Sequence, residues 1–196
     1  MVDLLEQHGI LRLSDFRRRG VNPLTLSRLV DQGILRRPSR GLYELADAEI
    51  DMSHSLAEVA KRVPKGVICL ISALQFHDIT LQSPSHVWIA VGTRSRKPTI
   101  DYPPTRAVHF GEAAISLGVE THMIDSVPVK IFHPAKTIVD CFRFRNKVGL
   151  DVALEALRMG WRSRKASSDE ITDYAQKLRA WNVIRPYLES VVADEG

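Results

Sequence analysis

An α+β fold is predicted for this 196-residue chain by three observations. Two short helical segments, joined around Val21-Asn22-Pro23, precede a compact basic hairpin within the first 46 residues. Strand-like runs then cluster between His86 and Phe132, and from Pro134 onward the apolar spacing is helical. Strands followed by helices, rather than a regular strand–helix alternation, point to α+β organisation. The expected layout is a winged helix-turn-helix over 1–46, a linker over 47–55, and a mixed α+β domain over 56–196. That domain carries a small sheet and C-terminal helices.

Residues 1–8 read as a short amphipathic helix with Leu4 and Leu5 inward, closed by Gly9. Ser14 is the expected cap of the next helix, with Asp15 favourable in its first turn and Gly20 as its stop. Asn22 is a good cap for the helix after that, and Pro23 suits its first position, where a missing N–H costs nothing. Leu26, Leu29 and Val30 then share one face, Thr25, Arg28 and Gln32 the opposite one, and Gly33 ends the segment. Ile34-Leu35 and Leu42 to Leu45 form a hairpin around Pro38-Ser39-Arg40-Gly41.

Beyond the acidic linker, a helix is expected from Ser53 or Ser55 to just before Pro64, and a short one over Ser72–His77. Strands are expected over His86–Val91, Ala107–Phe110, Val119–Ile124 and Val127–Phe132, with a Pro-rich basic loop over 93–106. Helices follow over Lys136–Arg145, Leu150–Met159, a segment capped by Ser168, and Val183–Val192.

The composition, 44% hydrophobic and 26% charged, is that of a globular protein with a real core. From Arg12 to Tyr43 eight arginines stand against two aspartates, a local charge of +6, so the remainder of this +4 chain sums to −2. A basic stripe on a near-neutral body is the footprint of a nucleic-acid binder, here double-stranded DNA. Cys69 and Cys141 lie in apolar segments without zinc-ligand spacing and are expected as buried free thiols. Asp3 and Glu6 break the first segment, no secretory pattern precedes it, and no apolar run reaches membrane-spanning length. A cytoplasmic protein with no membrane association is expected.

A recognition helix places its N-terminal residues on base edges. Asn22 suits adenine, the Thr25 methyl a thymine methyl, and Arg28 a bidentate contact to guanine, with Ser27 on the flank. Arg17, Arg18 and Arg19 are placed for phosphates, and Arg36, Arg37 and Arg40 ride the wing toward the backbone or minor groove. The same surface also fits a module that binds protein, with its arginines merely solvated.

Catalytic residues, metal ligands and cofactors are not expected. Glu112, Glu120, Asp125 and Lys130 allow a metal-dependent nuclease site to be drawn, although Asp125 reads better as a turn residue. The seven histidines show no zinc pairing, and Ser72 has no nucleophile-elbow glycines. Asp140 reads as a structural partner of Lys136 or Arg143. Two further basic clusters, Arg143/Arg145/Lys147 and Arg162/Arg164/Lys165, suit a solvated face, a wider DNA footprint or an acidic partner.

Three tracts, taken in order, resemble the AbiEi-type antitoxin family: Leu29 to Arg37 with Arg40 to Tyr43, Val67 to His77, and Lys136 to Arg143. The resemblance covers nearly the whole chain. It implies a transcriptional repressor acting as the antitoxin of a type IV toxin–antitoxin system. The winged helix would bind the operon's own promoter at inverted repeats. The larger domain would support repression and counteract an AbiEii-type nucleotidyltransferase toxin through a functional link. A solitary winged-helix regulator without a toxin partner remains the other reading of the same tracts.

Overall fold

The computed structural model describes residues 2–47, 54–100 and 102–193. Helix α1 (Val2–His8) is followed by strand β1 (Leu11–Arg12), helix α2 (Leu13–Arg18) and helix α3 (Pro23–Asp31). Strands β2 (Leu35–Arg36) and β3 (Leu42–Leu45) complete this N-terminal unit, in a three-stranded antiparallel sheet of order β1-β3-β2. β1 is not foreseeable from the sequence, because two residues carry no periodicity and become a strand only by pairing Leu11 with Tyr43 and Arg12 with Leu42. That pairing also moves the start of α2. Arg12 occupies the cap position and its N–H donates to the Asp15 carboxylate at 3.0 Å, so the expected cap, Ser14, lies exposed inside the first turn.

Of the linker expected at 47–55, residues 48–53 lie outside the described residues, and its last two open helix α4 (His54–Arg62). Then come strand β4 (Val67–Ile68), helix α5 (Leu70–Phe76), strands β5 (Val87–Gly92) and β6 (Thr105–Phe110), and helix α6 (Glu112–Ser116). Strands β7 (Val119–Ile124) and β8 (Val127–Phe132) form a hairpin through a two-residue turn. Asp125 (φ 48°) and Ser126 (φ 57°) both adopt the left-handed region that such a turn requires. The chain finishes with helices α7 (Pro134–Arg143), α8 (Arg145–Val148), α9 (Leu150–Arg162), α10 (Ser168–Lys177) and α11 (Trp181–Ala193). α10 is capped by Ser167 rather than Ser168. Ser167 and Glu170 satisfy each other's backbone N–H groups in a capping box.

The larger sheet has order β6-β5-β4-β8-β7 and is mixed, with β4–β8 and β5–β6 parallel and the other pairs antiparallel. Both faces are covered, as the alternation along β5 shows. Trp88 and Ala90 enter a core shared with α7, α9, α10 and α11, while Val87 and Ile89 enter a second core against α4. Ile10 and Leu42 of the N-terminal unit join that second core, while Leu5, Leu11, Phe16, Leu26, Leu35 and Tyr43 form a third, separate one. β3 therefore feeds two cores from neighbouring residues.

The seam is tight. Gly9 has φ +59° and approaches the Asp125 carbonyl so closely that a Cβ would sit 1.6 Å from that oxygen. Only glycine meets both conditions at this point. Among the described residues, no helix is long and apolar enough to cross a membrane.

Candidate nucleic-acid interface

Helix α3 is built by local chemistry. Asn22 Oδ1 accepts from the Leu24 N–H at 2.9 Å, and Pro23 follows at the first helical position. At the other end Gly33 (φ +69°) allows the Ile34 N–H to reach back to the Leu29 carbonyl at 3.0 Å. Leu26 is fully buried, with Leu29 and Val30 packed beside it. The solvent face is centred on Leu24, Ser27, Arg28 and Asp31. Of the Thr25/Arg28/Gln32 grouping read from the sequence, Arg28 and Gln32 are exposed, whereas Thr25 is half-buried at the flank. Leu24, 72% exposed, is the apolar side chain presented at the N-terminal end of this face. The spacing carries the signal for it, since Leu24 lies three and four residues before Ser27 and Arg28, but a leucine reads as a core residue by default.

Of the ten predicted site residues eight are exposed, and Thr25 and Arg36 are half-buried. Asn22, Ser27 and Arg28 lie exposed on or at the start of α3, although the Asn22 oxygen already holds the cap, leaving its NH2 group and one lone pair for a base. Arg17, Arg18 and Arg19 are exposed at the end of α2. Arg18 lies 3.4 Å from Asp15 and Arg19 donates to the Asp15 carbonyl at 3.2 Å, whereas Arg17, like Arg28 and Arg40, makes no ion pair among the described residues. In the hairpin, Arg37 is exposed with its guanidinium 5.9 Å from the Tyr43 ring centre. Arg36 departs from the expectation. It donates across the sheet to Glu44 at 2.5 Å, and Glu44 is only 2% exposed, so this arginine serves the fold before any phosphate.

Glu44 leads into a polar cluster that sequence reasoning misses. His54 lies between two carboxylates, with Nε2 3.0 Å from Glu44 Oε2 and Nδ1 2.9 Å from Asp125 Oδ2. Hydrogen bonding to Glu44, helped by Asp125, raises the His54 pKa despite its burial. Nearby, the Ser39 hydroxyl donates to the buried Glu58, whose carboxyl is pushed up chiefly by burial. The hairpin is thereby fastened to α4 and to the β7–β8 turn. No local signal announces these contacts, because the partners are 10 to 71 positions apart.

Glu120 and Asp125, two of the groups drawn for a nuclease, have partners of their own. Asp125 is held by His54, Glu120 lies 3.2 Å from His122, and five positions along the chain separate Glu120 from Asp125, roughly 17 Å of strand. Among the described residues no group of three or more His, Cys, Asp or Glu could hold a metal ion. Both cysteines are fully buried, which pushes their thiols up and away from reactivity. His77 is satisfied by the Phe132 carbonyl at 2.8 Å. Of the further basic clusters, Arg143 is bound to Asp140 at 2.6 Å, and Lys165 is bound to the His77 carbonyl at 2.5 Å and to Asp78 at 3.3 Å.

Residues 1–46 match the model of a family described as transcriptional regulator, AbiEi antitoxin. A crystal structure of the RV2827C protein from Mycobacterium tuberculosis is similar over 97% of this chain and 75% of that one, with a TM-score of 0.62 and 15% sequence identity. At that identity the likeness is one of fold. No protein of curated function matches the chain.

Proposed function

We propose that the chain is a DNA-binding transcriptional regulator of the AbiEi antitoxin type, whose first 46 residues act as a winged helix-turn-helix. The observation that carries this reading is the outward face of α3, where Arg28 stands exposed without an internal partner; Arg17 at the end of α2 and Arg40 in the hairpin are likewise exposed and unpaired. Arg28 reads guanine, Ser27 and the Asn22 NH2 group add polar contacts, and Leu24 joins or replaces Thr25 against a thymine methyl. Arg17, Arg18, Arg19, Arg37 and Arg40 contact phosphates, and Arg36 supports the hairpin they depend on. The body carries no proposed chemistry of its own, and the protein is not an enzyme in this reading.

The finer reading is autoregulation. The protein occupies inverted repeats in its own promoter in the cytoplasm and counteracts a nucleotidyltransferase toxin encoded beside it, without requiring a tight complex. Fluorescence anisotropy with the upstream region tests the first part. Specific binding should exceed binding to random DNA and weaken steeply with salt, and equal affinity for both sequences defeats the reading. Co-expression with the adjacent nucleotidyltransferase gene tests the second part, growth rescue being the expected result. Promoter binding without rescue identifies a solitary regulator.

A further inference from the structure

Where α2 faces the body, a cleft of about 370 Å³ opens between α2, the end of α4 and the β7–β8 hairpin. Arg12 and Arg18 line it from one side, Lys61 and Lys130 from the other, with Asp15 as the one carboxylate among its lining residues. Asp15 lies 3.4 Å from Arg18. Arg12, Lys61 and Lys130 make no side-chain ion pair among the described residues. Arg36 and Arg62, by contrast, are matched by Glu44 and Glu58. Lys61 is half-buried, and desolvation lowers its pKa, with Arg12 and Arg19 adding to the effect against Asp15. A half-buried cation with incomplete counter-charge costs free energy, which an anion seated beside Lys61 lowers.

The rest of the lining, Thr121 apart, is apolar. Ala60 lies in the last turn of α4, Val63 and Pro64 follow its end, and Val127 and Pro128 begin β8. A bare inorganic anion would leave that wall uncovered. Four cations against one carboxylate leave a net charge of +3 beside the apolar wall. In a volume typical of small-molecule sites, that combination selects an organic polyanion.

We propose that this cleft binds a phosphorylated small molecule of the nucleotide class, its phosphates among Arg12, Lys61 and Lys130 and its base or other apolar group against Val63, Pro64 and Pro128. The inference does not depend on DNA binding by α3. Duplex DNA is the competing occupant, disfavoured because the cations converge on a concavity between packed elements.

Calorimetric titration of the full chain tests it, with ADP, GDP, pyrophosphate and adenosine as probes. ADP or GDP should bind at least tenfold more tightly than pyrophosphate or adenosine. Lys61→Met, which keeps the aliphatic stem, and Lys130→Ala, at an exposed position, should each weaken nucleotide binding about tenfold with unchanged thermal unfolding. The proposal is overturned if neither nucleotide binds, if pyrophosphate matches them, or if both variants bind as the parent does. It is also overturned if the two variants lose affinity for duplex DNA, with no nucleotide present, by the factor they lose for nucleotide. That result would make the cleft part of the DNA track.

Discussion

Helices α3 and α7 look alike in sequence, each being a short amphipathic segment opened by a proline at its first position and carrying cations. They treat those cations in opposite ways. In α7, Lys136 is fully buried, lies with its ammonium 3.2 Å from the centre of the Phe132 ring, and pairs with Asp140, which also takes Arg143. In α3, Arg28 has neither cover nor partner. A cation already matched inside the fold has little to offer a ligand, whereas an unmatched one on a rigid helix is available to a phosphate or a base edge. Helical spacing does not separate the two cases; the location of the counter-charge does.

The largest expected effect breaks the buried side of this contrast. Asp140→Ala leaves Lys136 charged and unmatched in the core and should cost about 3–5 kcal/mol of stability in urea unfolding. DNA affinity of the fraction that remains folded should be unchanged. A loss below about 1 kcal/mol would mean that Lys136 is held neutral, the direction in which burial already drives it.

Arg28→Ala probes the exposed side. Specific DNA binding should weaken by roughly 1–3 kcal/mol and discrimination at one base position should relax, with unfolding unaffected. An equal loss on random DNA would reassign Arg28 to a phosphate.

His54→Gln sharpens the comparison at the seam. A histidine whose folded pKa is raised contributes stability that is fully present below its ordinary value of 6.5 and is lost as pH rises through the folded value. The raised Glu58 carboxyl acts in the same direction, its folding penalty growing as pH climbs above the ordinary 4.5. The parent should therefore lose stability as pH rises above about 6.5, and His54→Gln should flatten that decline in urea unfolding followed against pH. An unchanged slope would remove His54 from the account.

The smallest effect is on the hairpin. Replacing Arg37 and Arg40 together by alanine should weaken binding to all sequences alike and reduce the salt slope by about 1 for each phosphate no longer neutralised. Arg36→Ala should leave that slope unchanged and instead lower stability by about 1 kcal/mol, because Glu44 is deprived of its cross-strand partner. The reverse pattern would show Arg36 to be the residue on the phosphate.

What is legible in the sequence is what is locally caused. Asn22 and Pro23 fix the start of α3 and Gly33 its end, and all three signals act within a few residues. The α7 ion pairs follow from i, i+3 and i, i+4 spacing. What escapes is non-local. β1 exists because Tyr43 pairs with Leu11, Arg36 is withdrawn by a glutamate eight positions away, and His54 is raised by partners from β3 and from a turn 71 residues on. On α3 the spacing places Arg28 and Gln32 in solvent correctly but does not indicate that Thr25 is half-buried.

One consequence of the β3 register bears on engineering. Tyr43 closes the small N-terminal core while its neighbour Leu42, together with Ile10, is spent on the core beneath the large sheet. A transplant of residues 1–47 onto another protein would carry two naked aliphatic side chains with it, and a Glu44 that keeps Arg36 but has lost His54. Anyone grafting this N-terminal unit must therefore recast positions 10, 42 and 44 for the new host, or bring its own larger sheet along with the graft.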